Sequence, residues 1–321
     1  MNGISLTNNM WSIQNMYVSI GGTPGGVMCK PMDNFNSLAT SPTREHIDNI
    51  RDQVRHLDAK DPEIQHVILT KDSETGIATI CLKSGAKNAL SGRMICQLTD
   101  VIDELAVWSD GKGVLLYGAD GFFCSGSDLV TVKQVANYED GYRVATLMQY
   151  NIARFQALPM ISMVLIEGSA LGGGAELTLG ADLRVMTQSS KIGFVHMRVG
   201  VCCGWGGGSR LVQLIGPSRA TEILSSARTV GAQEALNIGL INHIISDCDE
   251  TNHQQVLEKA LDYLKQHLIG ARPTLLAMKA LVNVARALPL DQALAAEAQL
   301  FASTWGKEAH RAALSSNIKH R

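Results

Sequence analysis

The feature that most constrains this chain is a run of three glycines, Gly172 to Gly174, between an apolar segment and a helical one. The pattern of residues 160–166 predicts a buried strand, and residues 175–179 are typical of the first turns of a helix. Glycine is unfavourable inside a helix, so a run of it at this junction needs a reason. One reason is a tight crossing of helix and strand. The other is a ligand that lies close to the main chain.

The ligand explanation would give the glycine run a chemical role. The first N–H groups of a helix have no partner within the helix and form the positive end of its dipole. Such N–H groups stabilise an oxygen that gains negative charge during a reaction. Glu176 follows Gly173 by three residues and shares its helix face, so an acid would lie near the same ligand.

The composition excludes several other classes of protein. The 321 residues are 45% hydrophobic and 18% charged with a net charge of −2, which does not suggest binding to nucleic acid or to an anionic membrane. The seven cysteines are odd in number and form no CxxC motif, which is typical of reduced thiols inside a cell. We expect the vicinal pair Cys202 and Cys203 to be buried and inert. No apolar stretch reaches the roughly 18 residues of a membrane span.

The N-terminal stretch, residues 1–41, is rich in Gly, Asn, Ser and Met and is predicted to be poorly ordered. It has no acidic residue before Asp33, which would suit a mitochondrial presequence. It also has no arginine before Arg44, whereas presequences are normally rich in arginine. We therefore expect no cleaved signal and a cytoplasmic protein.

The rest of the chain alternates strands and helices and then becomes entirely helical, which predicts an α/β fold with a largely parallel sheet. Predicted strands lie at 67–70, 76–82, 113–117, 160–166, 183–186, 191–194 and 241–245. Predicted helices lie at 42–57, 91–108, 142–157, 209–215, 217–226, 232–237, 252–268, 273–287 and 290–304. We expect an N-terminal extension with one helix over 1–60, a core over 61–250 and a helical region over 251–321.

A second candidate site is the loop at 122–129, which follows the predicted strand at 113–117. Loops at the carboxyl ends of parallel strands commonly bind ligands. Gly126 would let the main chain turn so that the N–H of Ser127 faces a ligand. Ser127 and Gly173 would then supply two donors to one oxyanion. The alternative is that Asp128 simply caps a helix.

The two stretches together resemble the crotonase (enoyl-CoA hydratase/isomerase) superfamily, in which an SGxDL loop and a GGGxE helix start provide paired N–H donors to an acyl-CoA thioester. The resemblance covers about residues 67–305. It includes the segments 87–90, 181–184 and 204–211. It implies a spiral core of ββα units, a helical C-terminal region that forms trimers, and trimers that often stack into hexamers.

The resemblance also implies contacts with the substrate. It implies no separate cofactor, because coenzyme A is part of the substrate. Lys279 would approach a phosphate of the neighbouring subunit's coenzyme, or would simply be an exposed helix lysine. Trp205 would line the acyl pocket, or would be a packing residue. The residues expected to contact substrate or coenzyme are Ala89, Ser125, Ser127, Leu129, Gly172, Gly173, Trp205 and Lys279.

One departure from the family pattern is informative. Hydratases of this family carry a second glutamate in a QPE-like stretch, and the corresponding stretch here contains His196. Adding water to a double bond uses two carboxylates, and only Glu176 remains. A decarboxylation needs less, because the substrate's own carboxylate leaves as CO2 and its electrons move into the thioester carbonyl.

The resemblance, together with this departure, implies decarboxylation of an alkylmalonyl-CoA thioester. The N–H groups of Ser127 and Gly173 would hold the enolate oxygen, and Glu176 or His196 would be the general acid. His196 or Arg198 could instead hold the leaving carboxylate. The sequence shows no biotin-type lysine motif and no ligand-spaced His/Cys cluster, so no metal is expected.

Two other functions remain open at this stage. Isomerases of the superfamily work with one carboxylate, so an enoyl-CoA hydratase or isomerase is the alternative activity. A non-catalytic acyl-CoA binder would have no need of Glu176. Outside the site, we expect Asp182 to anchor the main chain, Arg210 to pair with a carboxylate inside the fold, and His243 to lie in an ordinary turn.

Overall fold

The computed structural model describes residues 42–55, 66–85, 87–134 and 136–316. The predicted disorder of residues 1–41 lies outside these ranges and stays a prediction. None of the helices in the described ranges combines the length and the apolar character that crossing a membrane would need.

The described residues contain nine strands, and six of them form the main sheet. They are β1 (Val67–Asp72), β2 (Ile77–Leu82), β3 (Gly113–Gly118), β4 (Ile161–Ile166), β5 (Ser169–Leu171), β6 (Leu183–Thr187), β7 (Lys191–Gly193), β8 (Thr229–Gly231) and β9 (His243–Ile245). The main sheet has the order β1-β2-β3-β4-β6-β9. The β1–β2 pair is antiparallel, as expected of a hairpin, and every later pair in this sheet is parallel.

A small second sheet, of order β5-β7-β8, positions the glycine run. Strand β5 ends at Leu171 and lies parallel to β7, with Leu171 opposite Gly193. The N–H of Gly172 continues this pairing by donating to the carbonyl of Gly193 at 2.8 Å. The pairing brings the start of the glycine-rich helix beside the segment that carries His196.

The helices cover both faces of the main sheet. They are α1 (Arg44–Arg55), α2 (Gly92–Ala106), α3 (Leu129–Gln134), α4 (Tyr138–Ala157), α5 (Gly173–Thr178), α6 (Gly207–Ile215), α7 (Pro217–Ser226), α8 (Ala232–Asn237), α9 (His253–Gln266), α10 (Arg272–Ala287), α11 (Leu290–Thr304) and α12 (Glu308–Ser315). One apolar core includes residues of α2, α4 and α5, and a second lies between the sheet and α9. The α/β class and the helical C-terminal region are as expected, whereas trimer formation and the domain boundaries stay predictions.

The differences from the expected elements are mostly short segments. Helix α4 begins four residues earlier than expected, because the Asn137 side chain caps it by accepting from the N–H of Asp140 at 2.9 Å. Strands β5 and β8 have three residues each, too few for an alternating pattern to reveal them. Helices α3 and α12 also lay outside the expected elements.

Candidate active site

The loop at 122–129 and the glycine run lie side by side in the structure. Cys124 forms a parallel β-bridge with Ala170, and the N–H of Leu171 donates to the carbonyl of Cys124 at 2.9 Å. Gly126 has a φ of +98°, and a Cβ built on it would lie 3.2 Å from the amide nitrogen of Gly173. The two predicted donor segments are therefore adjacent.

The main chain around Ser127 fixes the direction of its N–H group. The N–H of Leu90 donates to Gly126 at 2.8 Å, and the N–H of Asp128 donates to Leu90 at 2.9 Å. Since alternate residues of an extended chain present their N–H groups to opposite sides, the N–H of Ser127 points away from Leu90. Ser127 and Gly173 thus lie on adjacent segments, and their action as a pair of donors to one oxygen stays a prediction. Their binding to a thioester stays a prediction.

Each glycine of the run has its own physical reason. Gly172 has φ 54° and ψ −122°, a conformation open to glycine alone. A Cβ on Gly173 would lie 2.3 Å from the ring of Trp205. A Cβ on Gly174 would lie 2.4 Å from the carbonyl oxygen of Cys124. Tight packing therefore accounts for Gly173 and Gly174. The first N–H groups of α5, which have no partner within the helix, lie in this packed region.

The Glu176 side chain is held by a full set of donors. It is 1% exposed. Its Oε2 accepts from the N–H groups of Trp205 at 2.9 Å and Gly207 at 2.8 Å. Its Oε1 accepts from Gly204 N–H at 3.3 Å and lies 2.9 Å from His196 Nε2. A carboxylate has about four acceptor positions, and these donors satisfy both of its oxygens.

The loop that holds Glu176 depends on glycine. A Cβ on Gly207 would lie 2.4 Å from Cγ of Glu176, so only a glycine allows the main chain to approach this closely. Gly206, with a φ of +84°, precedes the first turn of α6 in a left-handed conformation. The glycine-rich sequence at 204–208 is the signal from which this carboxylate cradle could have been found.

His196 is held from both sides. It lies on a 3₁₀ turn, Val195–Val199, and its side chain is 12% exposed. Its Nε2 faces Glu176, and its Nδ1 lies 3.3 Å from the sulfur of Cys203. Burial, assisted by the charge of Glu176, raises the pKa of the Cys203 thiol to about 12. The thiol is therefore neutral at pH 7, and its sulfur lies within hydrogen-bond distance of Nδ1.

The expectation for the vicinal cysteines is partly wrong. Cys202 is exposed and Cys203 is half-buried, because the turn after the 3₁₀ segment carries the two side chains in different directions. Cys203 contacts His196 and therefore belongs to the candidate site. The sequence analysis did not include it. A cysteine seven residues after a histidine has no characteristic spacing, and the sequence offered no signal for this contact.

Glu176, His196 and Cys203 also form the one group of three metal-type side chains found close together in the described ranges, with ligand atoms within 4.8 Å of one another. Here these atoms are already engaged. The carboxylate accepts from three main-chain N–H groups and faces Nε2, while the sulfur faces Nδ1. The arrangement is that of a hydrogen-bonded Cys–His–Glu chain.

A cavity of about 530 Å³ opens beside this chain. Its walls include Gln149, Phe194, His196, Met197, Cys203 and Leu224. Trp205 is 6% exposed and packs over Gly173, which favours the packing interpretation of its ring. Arg198 is exposed on the 3₁₀ turn, and its contact with a leaving carboxylate stays a prediction.

The remaining coenzyme-binding candidates lie around the same loop. The N–H of Ser125 donates to the carbonyl of Lys87 at 3.0 Å, which ties the 122–129 loop to the 87–90 segment. Ala89 is buried next to Leu90. Leu129 begins α3, directly after the loop. The role of these three residues in coenzyme binding stays a prediction.

The comparisons with known proteins agree with this geometry. A sequence profile described as enoyl-CoA hydratase/isomerase matches residues 72–319. The chain belongs to this family. Its relatives include proteins named ethylmalonyl-CoA decarboxylase from Gallus gallus, 42% identical over 76% of this chain and 82% of that protein, and from Homo sapiens, 41% identical over 77% and 80%.

Solved structures of the family share the fold. The crystal structure of an enoyl-CoA hydratase from Geobacillus kaustophilus superposes with a TM-score of 0.72 at 26% identity, covering 79% of this chain and 93% of that one. An enoyl-CoA hydratase from Bacillus anthracis gives a TM-score of 0.71 at 24% identity, covering 78% and 95%. These likenesses confirm the crotonase fold expected from the motifs.

Within this fold, Lys279 does not have the position expected of either alternative. It is 2% exposed, and its Nζ pairs with Asp182. The exposed-lysine alternative is therefore wrong. A phosphate contact would require the ammonium to leave a buried ion pair, so the structure gives Lys279 a structural role instead. Asp182 also accepts from the N–H of Ser162 at 2.8 Å, which confirms its role as a main-chain anchor.

Two smaller expectations are also corrected. Arg210 does not bond to a carboxylate; its guanidinium donates to the carbonyl of Gly206 at 3.2 Å and lies 3.5 Å from Oε1 of Gln156. Its carboxylate neighbour Glu176 is already fully bonded. His243 starts strand β9 and stacks on Tyr263 with ring centroids 4.5 Å apart, so it is a packing residue.

Proposed function

We propose that this enzyme removes CO2 from ethylmalonyl-CoA, and less readily from methylmalonyl-CoA, giving butyryl-CoA and propionyl-CoA. Relatives about 40% identical over most of their length are named for the first of these reactions. The observation that carries the proposal is the buried carboxylate of Glu176, which lies 2.9 Å from a histidine at the position where hydratases have a second carboxylate.

The first chemical step needs the two amides. The bond between the α carbon and the free carboxylate breaks, CO2 leaves, and the electron pair moves through the α carbon to the thioester oxygen. The N–H groups of Ser127 and Gly173 stabilise the enolate oxygen, and each such donor contributes about 3 kcal/mol. The dipole of α5 adds to this field, because Gly173 is its first residue.

The second step needs a proton at the α carbon. Glu176 is held by four donors, so it is poorly arranged to give up a proton. His196 is the better general acid, because its ring lies in the wall of the cavity, whereas Glu176 is bonded to the main chain of the 204–207 loop. The protonated imidazole gives its proton to the enolate carbon and regains one from solvent through the cavity beside it. Glu176 then acts by orienting His196.

The same arrangement disfavours hydration. A hydratase must position and activate a water with one carboxylate and deliver a proton with another. The Glu176 oxygens are engaged with main-chain N–H groups, and no second carboxylate lies at the position of His196. An isomerase can work with one carboxylate, so the experiment below must distinguish decarboxylation from isomerisation of an enoyl-CoA.

The accompanying proposals are an acyl-CoA thioester as the one partner molecule, no cofactor beyond the coenzyme A of the substrate, a cytoplasmic location, and homotrimers that stack into hexamers. The apolar side chains exposed on the C-terminal helices support assembly, among them Met278, Leu294 and Phe301.

A side-by-side assay tests the proposed reaction. Purified protein is incubated separately with ethylmalonyl-CoA, crotonyl-CoA and a 3-enoyl-CoA, and CO2 and the product thioesters are measured. We expect CO2 and butyryl-CoA from the first, and little turnover of the other two. Glu176→Ala should abolish CO2 release, whereas Glu297→Ala, at an exposed position on α11, should not change it. Ready hydration of crotonyl-CoA without CO2 release from ethylmalonyl-CoA would contradict the proposal.

A further inference from the structure

A second cavity, of about 370 Å³, lies at the C-terminal side of α5, and the charged side chains in its wall are all positive. Its wall carries the guanidinium groups of Arg184, Arg210 and Arg286 and the amides of Gln156 and Gln213. Leu179, Ala181 and Leu214 complete the lining. None of the described residues that line it carries a carboxylate. Three cations and two amides therefore share one space without a counter-charge in its wall.

The nearest carboxylates do not supply that counter-charge. Asp182 attracts Arg184 from a distance, but its oxygens are bonded to Ser162 and to the ammonium of Lys279. Glu176 attracts Arg210, but its oxygens are occupied by the 204–207 loop and His196. Since Lys279 offsets Asp182, the positive charges of the cavity remain uncompensated.

The guanidinium groups keep donors available. Arg184 is 5% exposed and donates to the carbonyls of Leu240 at 2.9 Å, Ala181 at 2.7 Å and Asp182 at 3.4 Å. Three of its five N–H groups are thus bonded. Arg286 lies in the last turn of α10 and is exposed, and it donates to no other residue in the described part of the chain. Donors with fixed positions and free N–H groups suit a tetrahedral oxyanion.

The arrangement also has a cost when the cavity holds no anion. Burial lowers the pKa of Arg184 to about 10, with the charge of Arg286 acting in the same direction. Burial likewise lowers the pKa of Arg210, again with a contribution from Arg286. Like charges brought together in a partly buried space repel one another, and an anion between them removes that repulsion.

We propose that this cavity is a binding site for a small dianion of the phosphate class, with Arg184, Arg210 and Arg286 as its ligands. The site is separate from the oxyanion pair, because it lies at the C-terminal side of α5 whereas Gly173 lies at the N-terminal side. It is also independent of the proposed decarboxylation, and either can fail without the other. The same chemistry exists in free phosphate and in the phosphates of coenzyme A, and the site is assigned to the free anion.

Calorimetric titration of the full-length protein with inorganic phosphate, in a chloride buffer at neutral pH, tests this assignment. The probe variant is Arg286→Gln, because Arg286 is exposed and supports no other described residue. The matched control is Arg219→Gln, an exposed arginine on α7 that does not line the cavity. We expect saturable binding to the wild type, weakened about tenfold or more by Arg286→Gln and unchanged by Arg219→Gln.

Thermal unfolding gives a second measurement. Phosphate should raise the unfolding temperature of the wild type and of Arg219→Gln, because a ligand stabilises the state that binds it. Without phosphate, Arg286→Gln should unfold at the same temperature as the wild type or higher, since it removes a repelling charge. With phosphate its stabilisation should largely disappear.

Three results would overturn the proposal. They are the absence of saturable phosphate binding, equal binding by Arg286→Gln and Arg219→Gln, and displacement of phosphate by coenzyme A. The last would assign the phosphate-binding site to coenzyme A rather than to the free anion. If coenzyme A fails to displace phosphate and Arg286→Gln still weakens phosphate binding, the two results together would support a separate site.

Discussion

Two buried glutamates of this protein each pair with a histidine, and they differ in how completely the carboxylate is bonded. At the active site, Glu176 accepts from three main-chain N–H groups and lies 2.9 Å from His196. At the end of β4, Glu167 is also buried and lies 2.6 Å from Nδ1 of His253. Its second oxygen, Oε1, is buried without a hydrogen-bond partner.

The difference shows what the glycine-rich loop contributes. Main-chain donors satisfy both oxygens of Glu176. At Glu167 burial raises the pKa of the carboxyl group, because the charge of His253 compensates only in part. A Glu–His pair alone thus leaves a buried carboxyl oxygen unpaired, and the cradle of N–H groups is what satisfies it at Glu176. The following predictions test this difference between Glu176 and Glu167, starting with the largest expected effect.

The largest effect is expected from Glu176→Gln. An amide has one acceptor oxygen and turns its NH2 toward main-chain donors, so the cradle is left unsatisfied and His196 loses its counter-charge. We expect kcat/KM for ethylmalonyl-CoA to fall by about 10³-fold. The same change at Glu167 is the control, and comparable losses in the two variants would remove the distinction between the pairs.

His196→Gln should lower the rate by about 10²-fold, because the enolate then depends on solvent for its proton. The stereochemistry of the product separates this role from simple positioning. In D2O the wild type should give one enantiomer of 2-deuterio-butyryl-CoA, and the variant should give a mixture. A variant product as stereochemically pure as that of the wild type would show that another group delivers the proton.

A smaller effect is expected from Cys203→Ala, which removes the hydrogen-bond partner of Nδ1. One such bond corresponds to roughly a fivefold change in kcat. Cys203→Ser should restore most of the rate, since a hydroxyl can form a hydrogen bond with Nδ1 in place of the thiol. Cys202→Ala is the matched control, and an equal loss there would contradict a specific role for Cys203.

The smallest effect on activity, within about twofold of the wild type, is expected from Glu167→Gln, but its pH dependence is informative. A carboxyl whose pKa is higher in the folded than in the unfolded state stabilises the fold below the ordinary glutamate value of 4.5. That contribution is lost as the pH rises through the folded-state pKa.

Glu167→Gln should therefore gain stability relative to the wild type on going from pH 5 to pH 7 in urea unfolding. Glu297→Gln, at an exposed position, should show no such trend. A loss of relative stability for Glu167→Gln over this interval would contradict the raised pKa.

The sequence predicted those parts of the molecule that local patterns encode. Apolar alternation and helical spacing located the parallel strands and the long helices, and the glycine run and the SGSDL loop, singled out together, lie side by side in the structure. The contacts of Cys203, of Glu167 with His253, and of Lys279 with Asp182 were not predictable. Each joins residues whose distance in sequence carries no signal, and burial of a lysine follows from packing of α10 on the sheet.

The central claim is that the main-chain amides of Ser127 and Gly173 hold one thioester oxygen. A crystal structure with butyryl-CoA bound measures this most directly. The account predicts the thioester oxygen within about 2.7–3.1 Å of both amide nitrogens, with the α carbon facing His196. A thioester oxygen bonded to neither amide, in a fully occupied complex, would contradict it.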